Sequence, residues 1–267
     1  MDRHDPNEGV KVQNQSLTYE KKDGVLVIRI FPVKKWEEVA QLSSELRDLC
    51  TDTLFDPDIR VVVLTGAEEN AFLIEPEMAR PGSEEDEGLE AITGGLAEHI
   101  AKLDVPVLVA IHGDAISQGL ELALGCDMRI TSEISHFGLP HIKAGLMPWD
   151  GGTQRLSRLV GRAKAIEMIL TGEMIDAQEA LRIGLVNRIV PRGEVTAVVM
   201  GLAQEMASKG PIALRYTKEA ISKGIDMTLE QGLRLEADLY LLLHTTRDRT
   251  EGIKAFRNKR APQFQGE

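Results

Sequence analysis

The stretch Val105–Leu124, VPVLVAIHGDAISQGLELAL, decides the fold. Its first part, VPVLVAIHG over 105–113, is a continuous apolar run closed by glycine, the pattern of a strand buried on both faces. Its last part, SQGLELAL over 117–124, predicts a short helix directly behind that strand. Working outward, Val61–Gly66 (VVVLTG) repeats the buried-strand pattern, and a helical stretch ending near Ala101–Leu103 lies between the two runs. Val25–Ile30 (VLVIRI), just after the turn signal Asp23-Gly24, predicts a further strand, and Met128–Thr131 another. Trp36, Val39, Ala40, Leu42, Leu46 and Leu49 recur at helical spacing and predict a helix over Trp36–Cys50. Strand, helix, buried strand and helix in this order predict an α/β protein with a parallel sheet built from crossover units.

After Val186–Val190 the texture changes, and only helical segments follow. The expected organisation is a flexible polar tail over 1–16, an α/β core over 17–193 and a helical region over 194–267. The apolar stripe of Leu233, Leu235, Leu239, Leu242 and Leu243 suits subunit contact or packing back onto the core equally well. Glu68–Glu90, with Glu84–Glu87 beside Pro81-Gly82, suits a solvated loop or a flexible wall over a site.

The chain has 267 residues, 43% hydrophobic and 27% charged, which is normal for a globular protein. With 42 acidic against 31 basic side chains, its net charge of −11 argues against a general grip on nucleic acid or an anionic membrane. No apolar run is long enough to span a bilayer, and the polar start MDRHDPNEGVKVQNQS has no signal-peptide core. Cys50 and Cys126 alone make neither a disulfide framework nor a zinc site, so a cytoplasmic, reducing location is expected.

Common catalytic motifs are missing. There is no GxxxxGK[ST], GxGxxG, HExxH or CxxC, and Ala115–Gly119 lacks the first glycine of GxSxG. No histidine spacing supports a metal site. Three polar residues do fall at the ends of apolar elements, where α/β proteins place their chemistry. Glu121 sits in the first turn of the short helix, where it either complements the helix dipole or, if buried, acts as a general acid or base near neutral pH. His141 follows Gly138-Leu139-Pro140 and is either a surface loop histidine or a proton carrier. Asp150, before Gly151-Gly152, is either turn chemistry or part of a site.

The stretch Phe137–Leu156 (FGLPHIKAGLMPWDGGTQRL) resembles the signature of the crotonase, or enoyl-CoA hydratase/isomerase, superfamily. So do Val61–Gly66, Val105–Asp127, Leu170–Val190 (LTGEMIDAQEALRIGLVNRIV) and Glu251–Arg260 (EGIKAFRNKR), in unchanged order along nearly the whole chain. The resemblance implies a crotonase-like spiral of ββα units with a helical C-terminal trimerisation region, as a homotrimer or dimer of trimers. It implies an acyl-CoA thioester substrate, coenzyme A entering as part of that substrate and no separate cofactor, with the thioester oxygen held by two backbone N–H groups.

Carried over residue by residue, the resemblance gives Glu121 the role of one of two catalytic glutamates. His141 stands where the second would be. Gln118 replaces the glycine whose N–H lines the oxyanion hole, Gly119 follows the glycine-rich turn, and Lys259 and Arg260 are candidates for the CoA phosphates. Pro76 falls where the second N–H donor is expected and has none to give. His141, Asp150 and Glu75 also resemble a minority branch, the β-diketone hydrolases, which cleave carbon–carbon bonds without CoA. That branch's C-terminal glutamate is unmatched, since His244 or Thr245 falls there. The expectations are therefore an acyl-CoA hydratase, isomerase or lyase, with a β-diketone hydrolase or a catalytically weakened scaffold as alternatives.

Overall fold

The computed structural model describes residues 10–67, 72 and 95–267. Pro76, Glu75 and the acidic run Glu84–Glu87 lie outside the described residues. Seven strands form the main sheet: β1 (Val10–Gln13), β2 (Leu17–Lys22), β3 (Val25–Ile30), β4 (Val61–Gly66), β5 (Val107–Ile111), β7 (Met128–Ser132) and β10 (Arg188–Val190), adjacent in that order. From β3 to β10 all neighbours are parallel, with Val25 opposite Val61, Val62 opposite Val107 and Leu108 opposite Met128. The hairpin β1–β2 adds antiparallel to β3. Val10–Gln13, inside the stretch expected to be a tail, is thus an edge strand. Three very short strands, β6 (Ala115–Ile116), β8 (His136–Gly138) and β9 (Ile175–Asp176), make a second sheet.

Alternation along the buried strands divides their side chains between two cores. Val62, Leu64, Val107, Val109 and Ile111 face a large core closed by helix α1 (Trp36–Phe55), helix α2 (Leu96–Ala101) and helix α3 (Gln118–Leu124). Val61, Val63, Leu108 and Ala110 face the other way. There they meet Val195, Val199, Ala203 and Ala207 of a helix over Val195–Ala207. That helix was expected to open a separate helical region, yet it covers one face of the sheet. A fully buried Val or Leu contributes about 1.5–3 kcal/mol, which is why a strand with no polar face needs both coverings.

The remaining C-terminal helices, Pro211–Gly224, Leu229–Leu243 and Arg247–Arg257, are tied on by charge and backbone contacts. Lys218 Nζ lies 2.7 Å from Asp127 Oδ2 and donates to the Val105 carbonyl. Arg60 donates to the carbonyls of Ala207 and Phe264. No described helix is long and apolar enough to cross a membrane.

Candidate active site

The site is built where the two sheets meet. After β5 the chain turns through Gly113 and Asp114 into β6, which pairs parallel with β8, and Ser117 N–H donates to the Gly138 carbonyl at 3.1 Å. Ser117 then adopts φ 52° and ψ −126°, a left-handed region that costs a non-glycine residue about 1–3 kcal/mol. This bend starts α3 at once, so Glu121 lies one turn inside the core. On the partner strand, β8 ends at Gly138 and a 3-10 helix, Pro140–Ala144, begins with proline at its first position. The pairing of β6 with β8 is what places His141 opposite Glu121.

Glu121 is completely buried. Its Oε1 accepts two backbone hydrogen bonds, from Asp150 N–H at 2.9 Å and Gly152 N–H at 2.8 Å. Its Oε2 has no hydrogen-bond partner among the described residues and stands 3.6 Å from His141 Nε2. One carboxylate oxygen is clamped and the other is free. Gly152 is required here, because a Cβ at that position would stand 2.8 Å from both Glu121 Oε1 and the Pro148 Cβ.

His141 is buried, not the surface loop residue that its flanking sequence also allows. Gln118, buried beside it, places its side-chain Nε2 3.5 Å from His141 Nε2. No described backbone acceptor is bonded to the N–H groups of Gln118 and Gly119, the first residues of α3. They are donors of the kind an oxyanion hole uses.

Asp150 is bonded through both its main chain and its carboxyl. Its backbone N–H helps to clamp Glu121, while its Oδ2 accepts from Ala97 N–H at 2.8 Å and so caps α2 from outside. Gly95 makes this possible, since a Cβ there would lie 1.9 Å from Asp150 Oδ1. Arg155 Nη1 donates to the Asp150 carbonyl at 2.8 Å. No hydrogen bond between Asp150 and His141 is present among the described residues, and His141 Nδ1 has no partner there.

Burial sets the electrostatics. It pushes the Glu121 carboxyl up to about 7, with the Asp150 charge adding and the two backbone donors and Arg155 opposing. It pushes Asp150 up to about 6 against the Ala97 and Glu98 backbone donors and Arg155. It lowers His141, with the Leu139 backbone pulling the other way. Near neutrality the site therefore holds an uncharged imidazole, an ionised Asp150 and a Glu121 at the middle of its titration. The Cys50 and Cys126 thiols, both buried, are pushed up to about 12 and stay protonated.

The structure thus brings Glu121, His141, Asp150, Gln118 and Gly119 together. Lys259 is exposed just past the last helix at φ 51°, and Arg260 is already paired with Glu251. Sequence reasoning missed Ser117, Arg155 and the contact of the chain's two tryptophans, Trp36 and Trp149, whose ring centroids are 6.0 Å apart. Nothing local marks Ser117 for a left-handed bend. Trp149, adjoining Asp150, lines a surface cavity with Gly95, Glu98, Arg155 and Arg158.

Comparison with known proteins identifies the family. The family model described as enoyl-CoA hydratase/isomerase matches residues 20–267. The (E)-benzylidenesuccinyl-CoA hydratase of Thauera aromatica is 40% identical over 227 residues, covering 84% of this chain and 88% of that protein. The 2,3-dehydroadipyl-CoA hydratase of Escherichia coli K12 is 39% identical over 229 residues, covering 85% and 87%. The crystal structure of an enoyl-CoA hydratase from Bacillus anthracis superposes with a TM-score of 0.88 at 36% identity, over 95% of this chain and all of that one. The chain belongs to the enoyl-CoA hydratase/isomerase family, within the crotonase superfamily.

Proposed function

We propose that the protein is a hydratase-type enzyme acting on an α,β-unsaturated acyl-CoA thioester, with Glu121 and His141 as its acid–base pair. The observation that carries this reading is the half-clamped carboxylate. A glutamate held by two backbone N–H groups through one oxygen, with the other oxygen buried, unbonded and facing an uncharged imidazole, is oriented for proton transfer. In addition of water, the oxygen joins the β-carbon while one water proton passes to the pair, and the pair's own proton passes to the α-carbon. The pair begins and ends each turnover with one proton, and it can re-equilibrate across the 3.6 Å between Oε2 and Nε2. The N–H groups of Gln118 and Gly119 polarise the thioester carbonyl and stabilise the enolate; one such donor is commonly worth about 2.7–4 kcal/mol.

Two assignments accompany this reading. Lys259, exposed just past the last helix, supplies charge to the CoA phosphates of a neighbouring copy. The copies assemble as trimers or dimers of trimers through the exposed leucines of Leu229–Leu243. The β-diketone alternative needs His141 held by Asp150, and the Asp150 carboxyl is engaged with Ala97 instead.

The test is a set of titrations with CoA, crotonyl-CoA and a cyclic 1,3-diketone, with hydration followed by loss of the enoyl-thioester absorbance. Binding and turnover of the thioester alone is the expected result. Turnover of the diketone alone would transfer the site to the carbon–carbon hydrolases. Binding of no CoA species would remove the proposal.

A further inference from the structure

The side chain of Gln118 has no counterpart in the chemistry described so far, which uses only its backbone N–H. It is buried, it begins the helix that carries Glu121, and its amide nitrogen meets the ring nitrogen that faces Glu121. A neutral imidazole carries its proton on one of two nitrogens, and hydrogen bonds made by the ring select which. At His141 the neighbouring side chains act at Nε2. The Leu139 backbone also acts on the ring, favouring a proton on it, while the side chains that reach it do so at Nε2, with Gln118 Nε2 at 3.5 Å and Glu121 Oε2 at 3.6 Å. A donating amide at that distance leaves no room for a second hydrogen on Nε2.

We propose that Gln118 is a positioning residue: its amide N–H donates to His141 Nε2 and keeps the ring proton on Nδ1, so that Nε2, beside the unbonded oxygen of Glu121, is held as an acceptor until that amide bond is exchanged for a proton. This rests on the acid–base reading above and deepens it, because it decides which member of the pair receives a proton and which gives one. With Nε2 unprotonated, His141 is the acceptor and Glu121 the donor. With the proton on Nε2, both members would present a hydrogen whenever Glu121 is protonated, and neither could take one from water.

The test reads the tautomer directly, by nitrogen NMR of isotopically labelled histidine in the resting full-length protein. It is done at about pH 8.5, where Glu121, titrating at about 7, is ionised and pulls hardest for a proton on Nε2. The expected wild-type spectrum has the His141 proton on Nδ1. Gln118→Leu keeps the volume and removes the donor, and is expected to move the proton to Nε2. Turnover of crotonyl-CoA should then fall about tenfold or more in kcat, with KM within about threefold. If Gln118→Leu does not fold, Gln118→Met makes the same comparison with a more flexible chain. A wild-type proton on Nε2, or a tautomer unchanged in a folded variant, overturns the proposal. Failure of the wild type to turn over any CoA thioester would instead strike the hydratase reading, since the resting-state spectrum needs no substrate.

Discussion

The helix Gln118–Leu124 and the helix Leu229–Leu243 are both leucine-rich, yet they end in opposite environments. In the first every residue is buried, its leucines facing the large core and its glutamate enclosed with them. In the second only Leu239 is buried, while Leu229, Leu233 and Leu242 are 79%, 55% and 50% exposed. Phe256 on the following helix is 86% exposed. The first region is complete within one chain: its apolar surface is covered, and Glu121 Oε2 lies buried inside it without a hydrogen-bond partner among the described residues. The second leaves a row of leucines exposed, the feature on which the proposed assembly rests. Apolar periodicity alone does not separate the two cases.

Predictions that would break this contrast can be ranked by size. The largest effect belongs to Glu121→Gln, which keeps an acceptor for Asp150 and Gly152 but removes the proton. Its kcat should fall by about 1,000-fold or more in a crotonyl-CoA assay while the assembly, measured by sedimentation, is unchanged. A variant with near wild-type turnover would show that the half-clamped carboxylate is structural. His141→Ala should abolish turnover, with a loss of at least about 100-fold, and also leave the assembly intact. Turnover within about twofold of wild type would make the histidine a packing residue.

The opposite region should respond in the opposite way. Leu233→Asp combined with Leu242→Asp should shift sedimentation to the single chain while circular dichroism keeps its helical content. An unchanged sedimentation coefficient would mean that these leucines are not the contact.

The next effect is pH-dependent stability. The folded state holds the Glu121 carboxyl at about 7, above its ordinary value of 4.5, so it binds a proton more tightly than the unfolded chain does. The stability linked to this proton is fully present below about 4.5 and is lost as pH rises through about 7, at a cost on the order of 3 kcal/mol. Glu121→Gln should therefore melt several degrees above wild type at pH 8 and close to it at pH 4.5, in calorimetric scans across that range. Equal shifts at both pH values would show that the carboxyl is not held protonated. The smallest effect is expected for Asp150→Ala, which removes the cap on Ala97 and should cost about 1 kcal/mol in denaturant midpoints.

Much of this architecture was legible in the sequence. Val25–Ile30 and Val61–Gly66 form strands over the ranges their apolar runs predict, and α3 starts one residue inside the predicted span. Continuous burial leaves a strong compositional mark, which explains these successes. The hairpin β1–β2 left none, because LTYEKK is polar toward its exposed end and its partner lies at the sheet edge. The three-stranded sheet was invisible for another reason: β6 and β9 have two residues each, too few to show a period. Of the site, Glu121 and His141 could be named because helix start and strand end are readable, and resemblance to a family supplied their pairing. The direction of the Asp150 carboxyl could not be read, since it depends on the closeness of Gly95, far away in the chain.

The clamp on Glu121 is made entirely of main chain. A codon change at Asp150 replaces a side chain and leaves the amide that holds the glutamate in place, and the second amide belongs to Gly152. The Asp150 half of the clamp therefore survives most substitutions at its own position, whereas the Gly152 half does not, because a Cβ there would stand 2.8 Å from Glu121 Oε1. The aim of the carboxylate thus depends on one side chain that is absent, at Gly152, and not on the identity of the side chain at 150.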